Sequence, residues 1–128
     1  MIPWNEITDA LKQVYKDNFI CHYSITEWGG SVMVMEKSGR AFSRTYYFKN
    51  DPAIFFEWLS VNEDCRGMGI ASKLLDGHIN IAKLYSLESF LYVKKGTWVK
   101  KWYERKGYRY HKDFEDDIAY AWMHLKIS

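Results

Sequence analysis

The stretch from Glu57 to Leu75 limits what this chain can fold into more than any other part of it. An apolar run, Ala53 to Val61, passes through a short polar loop and meets Gly67 and Gly69. Ile70, Ala71, Leu74, Leu75, His78, Ile81, Ala82 and Tyr85 then recur at helical spacing. A buried strand therefore feeds a tight turn and a helix. The first turn of a helix leaves its N–H groups without partners and carries about half a positive charge from the aligned peptide dipoles. Gly67 and Gly69 have no Cβ, so an anionic group can come close to that backbone. The predicted product is a strand-turn-helix cradle for a phosphate. It is not a nucleoside-triphosphate loop, because Ile70-Ala71 stands where Lys-Ser/Thr is needed. It is a poor dinucleotide fingerprint too, because Ser72 occupies the third glycine position.

The rest of the chain reads as alternating punctuation and pattern. Pro3 suits a first helical turn, and Ile7, Ala10, Leu11, Val14 and Tyr15 share one helical face before the helix ends near Asn18. Phe19 to Glu27 and Ser31 to Lys37 are predicted strands joined at Gly29-Gly30. Ser38-Gly39 leads into Arg40 to Phe48, and Asn50-Asp51-Pro52 into the strand ending at Val61. Four strands with short links predict an antiparallel meander. After the long helix, Glu88 to Val93 is a strand expected to run parallel to the one ending at Val61, since a helical crossover separates them. Thr97 can cap a helix that carries Trp98, Val99, Trp102 and Tyr103 on one side and stops at Gly107. Tyr108 to His111 and Ile118 to Ile127 form the last pair, linked by the acidic segment Lys112 to Asp117.

A chain of 128 residues with 48% hydrophobic and 18% aromatic residues is expected to be one globular domain spanning residues 1–128. Its net charge of +2 is dispersed, so nucleic acid is not indicated as a partner. No apolar run reaches the ~18 residues of a membrane span and no basic-then-apolar leader is visible, so the expected location is the cytoplasm. Cys21 and Cys65 are too few for a disulfide framework and show no metal-ligand spacing with the histidines, so no metal is expected. Both read as reduced thiols, Cys65 the more exposed. The six tryptophans read as core and pocket walls. His22, His78, His111 and His124 lie singly on separate elements, with His111 alone expected near a site.

The segment Arg66-Gly67-Met68-Gly69-Ile70-Ala71 resembles the Arg/Gln-x-x-Gly-x-Gly/Ala signature of the GCN5-related N-acetyltransferases (GNAT family), with Arg66, Gly69 and Ala71 on the defining positions. The element order agrees with that family over roughly residues 53–127. It departs before that, because the family usually begins with a strand and here a helix comes first. The resemblance implies an α/β fold: a mixed, mostly antiparallel central sheet of about seven strands flanked by helices, with a parallel strand-helix-strand unit at the coenzyme site. It also implies an acetyl-CoA-dependent enzyme moving an acetyl group directly to a primary amine. Backbone N–H groups from Arg66 through Gly67, Met68, Gly69 and Ile70 to Ala71 would hold the pyrophosphate. Leu59 to Val61 would pair with the pantetheine arm as another strand does, in a gap opened by splaying that strand from its neighbour.

An alkyl amine of pKa about 10.4 is neutral only about once in 10³ molecules at pH 7, roughly 4 to 5 kcal/mol against reaction. A base must take the proton. Glu57 is the candidate: it interrupts an apolar strand, and simple alternation puts it on one face with Leu59 and Val61. Phe56 to Val61 also resembles the corresponding strand of the polyamine acetyltransferase branch, where a glutamate at this spacing is the base. Lys101 to Tyr108 resembles the family's Phe-Tyr-x-Lys-x-Gly-Phe segment, which carries the general-acid role toward the coenzyme sulfur to Tyr103. Gly96 stands where the family often has an asparagine. Cys21 and Cys65 lack an evident histidine partner, which disfavours a covalent route.

In the family fold the last two strands border the acceptor mouth, so the resemblance implies that the carboxylates of the Asp113 to Asp117 link favour a cationic amine such as a polyamine, an aminoglycoside or a lysine side chain, with a small molecule such as a polyamine as the first expectation. The alternatives are a protein lysine or N-terminus as acceptor, or a non-catalytic coenzyme-binding module. Edge strands in so short a chain make a homodimer the default expectation.

Overall fold

The structure is a computed structural model describing residues 2–115 and 117–126. The elements are α1 (Trp4–Tyr15), β1 (Phe19–Ile25), β2 (Gly29–Glu36), β3 (Ala41–Phe48), β4 (Ala53–Val61), a 3₁₀ turn (Glu63–Cys65), α2 (Ile70–Leu84), β5 (Glu88–Lys94), α3 (Trp98–Arg105), β6 (Arg109–Phe114) and β7 (Asp117–Leu125). The strands form one seven-stranded sheet in the order β1-β2-β3-β4-β5-β7-β6, antiparallel except where β4 meets β5. This is the mixed α/β sheet that the resemblance implied. The four-strand meander supplies the whole first half of the sheet, so α1 precedes the sheet instead of interrupting it.

All three helices contribute to one core. Strand alternation turns Val32, Val34, Ala41, Tyr47, Ile54, Phe56, Leu91 and Met123 toward it, where they meet Ile7 and Leu11 of α1, Leu74 and Leu75 of α2, and Tyr103 of α3. The buried stripe of α1 is Trp4, Ile7, Thr8, Leu11 and Tyr15, whereas Val14 is exposed. Thr8 is tolerated inside because its hydroxyl donates to the Trp4 carbonyl at 2.9 Å. Where α1 crosses α2, the Tyr15 ring lies 2.6 Å from where a Cβ on Gly77 would sit. Only glycine permits that approach.

The other face of the sheet has no helix over it among the described elements. It carries a continuous run of ring contacts, Tyr46 to Phe55, Phe55 to Phe90 and Trp122, and Trp122 to Tyr92 and Phe114. The large aromatics thus divide between the core, this second, half-buried layer and an exposed set that includes Trp28 and Trp98.

Two irregularities in β4 place the site. β4 pairs with β5 only at Ala53↔Glu88, Ile54↔Ser89 and Phe55↔Phe90, although both strands continue. Past Phe55 they diverge, opening the gap that a pantetheine arm requires. On its other side β4 pairs Glu57 with Arg44 and Ser60 with Phe42, so it holds one residue more than β3 over that interval. The extra residue is a β-bulge at Trp58, whose φ of 57° lies in the left-handed region. The bulge reverses the alternation. Glu57 points to the helix-free face with Arg44, whereas Leu59 and Val61 turn to the core side, so the expectation that all three share a face is corrected.

The C-terminal hairpin also differs from expectation. Lys112, Asp113 and Phe114 belong to β6 and pair with β7, which begins at Asp117, so most of the expected acidic link is strand. An edge strand can carry such polar residues because its outer side faces water. Asp116, and Ile127 at the expected strand end, lie outside the described residues.

Candidate active site

The gap beyond Phe55 leads into a cleft of about 690 Å³ on the core side of the sheet. Its floor is the end of β4, Leu59, Ser60 and Val61. One wall is the turn and first residues of α2, with Cys65, Arg66, Gly67, Gly69, Ile70, Ala71 and Ser72. The opposite wall is α3, with Trp98, Val99, Trp102 and Tyr103. Of the proposed coenzyme residues, Leu59, Val61, Arg66, Gly67, Gly69, Ile70 and Ala71 come together here, and Met68 does not: its side chain is 61% exposed and points elsewhere. Trp98, Trp102, Ser60 and Ser72 line the cleft without having been singled out. The shared helical face of Trp98, Val99, Trp102 and Tyr103 was the available signal for the tryptophans.

The turn has the features of an anion cradle. Gly67 and Gly69 adopt φ of +87° and +76°, which side-chain-bearing residues rarely do, and nothing lies within 4 Å of either would-be Cβ. Among the described residues the backbone N–H groups of Gly67, Gly69, Ile70, Ala71 and Ser72 have no backbone acceptor. Those of Arg66 and Met68 donate to Glu63 and Cys65 at 3.2 and 3.3 Å. Of the expected Arg66-to-Ala71 set, Gly67, Gly69, Ile70 and Ala71 are therefore free, Arg66 and Met68 are not, and Ser72 joins the free donors. The Arg66 side chain folds back, its Nε 3.3 Å from the Val61 carbonyl. Free N–H groups, helix dipole and open space fit a pyrophosphate without adjustment.

Tyr103 is buried on the cleft wall, and its hydroxyl makes no hydrogen bond among the described residues. Burial pushes its pKa well above the usual tyrosine value, so it holds its proton at neutral pH. Its helix is anchored from behind: the Tyr108 N–H donates to the Tyr103 carbonyl at 3.1 Å. The Tyr108 hydroxyl joins a buried chain, 2.7 Å from Ser89 Oγ, which is 2.6 Å from His78 Nε2, whose Nδ1 is 2.8 Å from Thr45 Oγ1. Burial drives the His78 pKa down to about 3, so the imidazole is neutral.

Glu57 sits on the far side of the sheet, ion-paired with Arg44, whose guanidinium lies 4.7 Å from the Trp58 ring and 5.1 Å from the Tyr46 ring. Tyr46 is pushed up to about 12, first by burial and then by the nearby Glu57 charge and the Tyr92 phenol, against the pull of Arg44. Glu57 and Tyr103 thus flank β4 from opposite faces. A second, shallower groove of about 560 Å³ on the Glu57 side is lined by Met33, Met35, Phe42 and Trp58, and shares Leu59 and Ser60 with the first.

Cys65 is fully buried and Cys21 half-buried, the reverse of the expected order, because the 3₁₀ turn tucks Cys65 beneath the loop. Burial raises both thiols, which makes them poor nucleophiles. The histidines are not all solitary. His111 and His124 lie with ring centroids 5.6 Å apart around Phe90, at the closed end of the gap. Among the described residues no group of three or more His, Cys, Asp or Glu is placed to hold a metal ion, and no helix is long and apolar enough to cross a membrane.

Residues 28–110 match the family model described as acetyltransferase (GNAT) domain. The chain belongs to the GNAT acetyltransferase family, whose acyl donor is acetyl-CoA, and is an N-acetyltransferase. Among curated proteins none matches the sequence. Solved structures of the same fold include the ribosomal-protein-S18-alanine N-acetyltransferase from Escherichia coli, at TM-score 0.62 and 16% identity, covering 97% of this chain and 89% of that one. A GNAT family acetyltransferase from Elizabethkingia anophelis with acetyl-CoA bound aligns at TM-score 0.61 and 13% identity, covering 87% and 99%. Nourseothricin acetyltransferase aligns at TM-score 0.61 and 14% identity, covering 87% and 85%.

Proposed function

We propose that this chain transfers an acetyl group directly from acetyl-CoA to the primary amine of a small molecule, with Glu57 as base and Tyr103 as acid. The observation that carries this reading is the bulge at Trp58. Within two residues it sends Leu59 toward the coenzyme cleft and Glu57 toward the opposite face, so donor and acceptor can meet from the two sides of one strand. When bound, the coenzyme supplies a thioester carbonyl open to attack and a thiolate leaving group.

The chain's own groups then divide the remaining work. The free N–H groups of Gly69 to Ser72 bind phosphate oxygens, and Leu59 to Val61 offer strand edges to the pantetheine amides. Glu57 takes one proton from the incoming ammonium and passes it to solvent. Tyr103 gives its proton to the departing sulfur and recovers one from the nitrogen as the amide forms. The balance is one ammonium and one thioester converted to one amide, one thiol and one released proton.

Asp113 is taken up by Lys95 at 2.5 Å, and Glu57 by Arg44. Of the carboxylates that suggested a polyamine, Glu115 and Asp117 remain exposed at the hairpin turn. They support a cationic acceptor, but fewer of them are free than the sequence suggested. A second reading, a protein lysine or N-terminus as acceptor, is favoured by the helix-free face around Glu57, which leaves room for a peptide.

Isothermal calorimetry with acetyl-CoA and CoA, followed by thiol release against small amines and peptides, tests the proposal. Binding with turnover on an amine is expected. Binding without turnover on any acceptor would refute the transferase assignment of Glu57 and Tyr103, and no binding would refute the cradle.

A further inference from the structure

We propose that Arg44 and Glu57 together read a zwitterion: the acceptor is an α-amino acid with an apolar side chain, its ammonium on Glu57 and its carboxylate on Arg44. The inference rests on the proposed function, because it takes Glu57 as the group that meets the amine.

The argument starts from the ion pair. When Glu57 takes a proton from any amine its negative charge is gone, and the half-buried guanidinium paired with one of its oxygens is left without a counter-charge. Leaving a partly desolvated charge unpaired is costly, and placing a second cation beside it is worse. A polyamine does both. An α-amino acid does neither, since its two charged groups sit on one carbon. Two groups already in contact, Arg44 and Glu57, match that spacing. Both original charges keep an opposite partner after the exchange.

The surroundings favour the same ligand. Trp58 and Tyr46 hold the Arg44 guanidinium through ring contacts that do not involve Glu57, so it stays in place when the carboxylates swap. Arginine presents a planar fork that suits a carboxylate. Trp58 also borders the groove with Met33, Met35 and Phe42, where a ligand side chain leaving the same carbon finds mostly apolar surface. That groove shares Leu59 and Ser60 with the cleft, so a ligand seated there would lie against the strand end that the proposed function assigns to the pantetheine arm.

The test compares kcat/KM by thiol release for phenylalanine, its amide, phenethylamine, spermidine and a short peptide. Phenylalanine is expected to exceed phenethylamine and spermidine by at least about tenfold, with the amide in between. Arg44→Gln should remove that preference, and Arg44→Lys should restore part of it by returning the charge without the fork. Melting curves of both variants establish that they fold. Turnover on phenethylamine, spermidine or the peptide equal to or above that on phenylalanine overturns the inference and leaves the transferase reading standing, as does a preference that survives in folded Arg44→Gln. Acetyl-CoA binding with no turnover on any of the five overturns both.

Discussion

Replacing Tyr103 by phenylalanine separates chemistry from architecture at this site. The hydroxyl has no hydrogen-bond partner among the described residues, so its removal orphans no buried donor or acceptor. The ring stays, with its edge-on contact to Tyr108 at 5.9 Å. Stability should therefore change by no more than about 0.5 kcal/mol. Catalysis should change far more, because a positioned general acid contributes about 10²- to 10⁴-fold, or roughly 3 to 5.5 kcal/mol of barrier. In the proposed reading the coenzyme's phosphates would be held by the glycine turn and the start of α2 on the opposite wall, so its affinity should stay within about twofold of the wild type. The sign of the pH dependence follows from burial. Tyr103 is raised above the ordinary phenol range, so its loss of a proton should impose no alkaline fall in the wild-type kcat below about pH 10. Steady-state thiol release across pH, paired with calorimetry and a melting curve, reads all three quantities. A kcat within threefold of the wild type, or an equal loss in kcat and coenzyme affinity, would show that Tyr103 is a wall residue and not the acid.

Other perturbations give equally direct outcomes. Gly69→Glu should abolish coenzyme binding by placing a carboxylate in the cradle, whereas Gly69→Ala should cost about 1 to 2 kcal/mol of stability from its φ of +76°, both read by calorimetry and urea unfolding. Gly77→Ala drives a methyl into the Tyr15 ring and should destabilise by about 1 to 3 kcal/mol, a drop visible in the melting temperature. His78 is neutral when folded, with its pKa near 3 against about 6.5 when unfolded, so the unfolded chain takes up the proton first as pH falls. Stability should decline below about pH 6.5 and be about 3 kcal/mol lower by pH 4 from this group alone. Urea midpoints in His78→Gln should show a shallower acid decline, and an unchanged slope would refute the account.

Much of the fold was written locally. The strand ending at Val61, the glycine turn and the long helix were legible because each follows from short-range rules: apolar runs, a backbone needing positive φ, and a repeat near 3.6 residues. The cleft walls from Arg66 to Ala71 and from Trp98 to Tyr103 inherit that legibility, since each is a contiguous segment whose face is set by its own periodicity. The acidic hairpin was misread because the same polar residues suit a loop or a water-facing edge strand, and only the pairing of Lys112 and Asp113 with Trp122 and Ala121 decides between them.

The acceptor side was not legible. Alternation along Ala53 to Val61 predicts Glu57 in phase with Leu59, and nothing in those residues reveals the bulge at Trp58. Its left-handed backbone is imposed by the register with β3, where the span from Arg44 to Phe42 faces the longer span from Glu57 to Ser60. That register also creates the Arg44–Glu57 pair, and the divergence past Phe55 creates the cleft. The sequence by itself therefore determined the parts that a few neighbouring residues settle. Which face Glu57 takes, what holds its carboxylate, and where the cleft opens beside β4 were decided by hydrogen bonding between strands distant in the chain, whose one-residue slips invert every side chain beyond them.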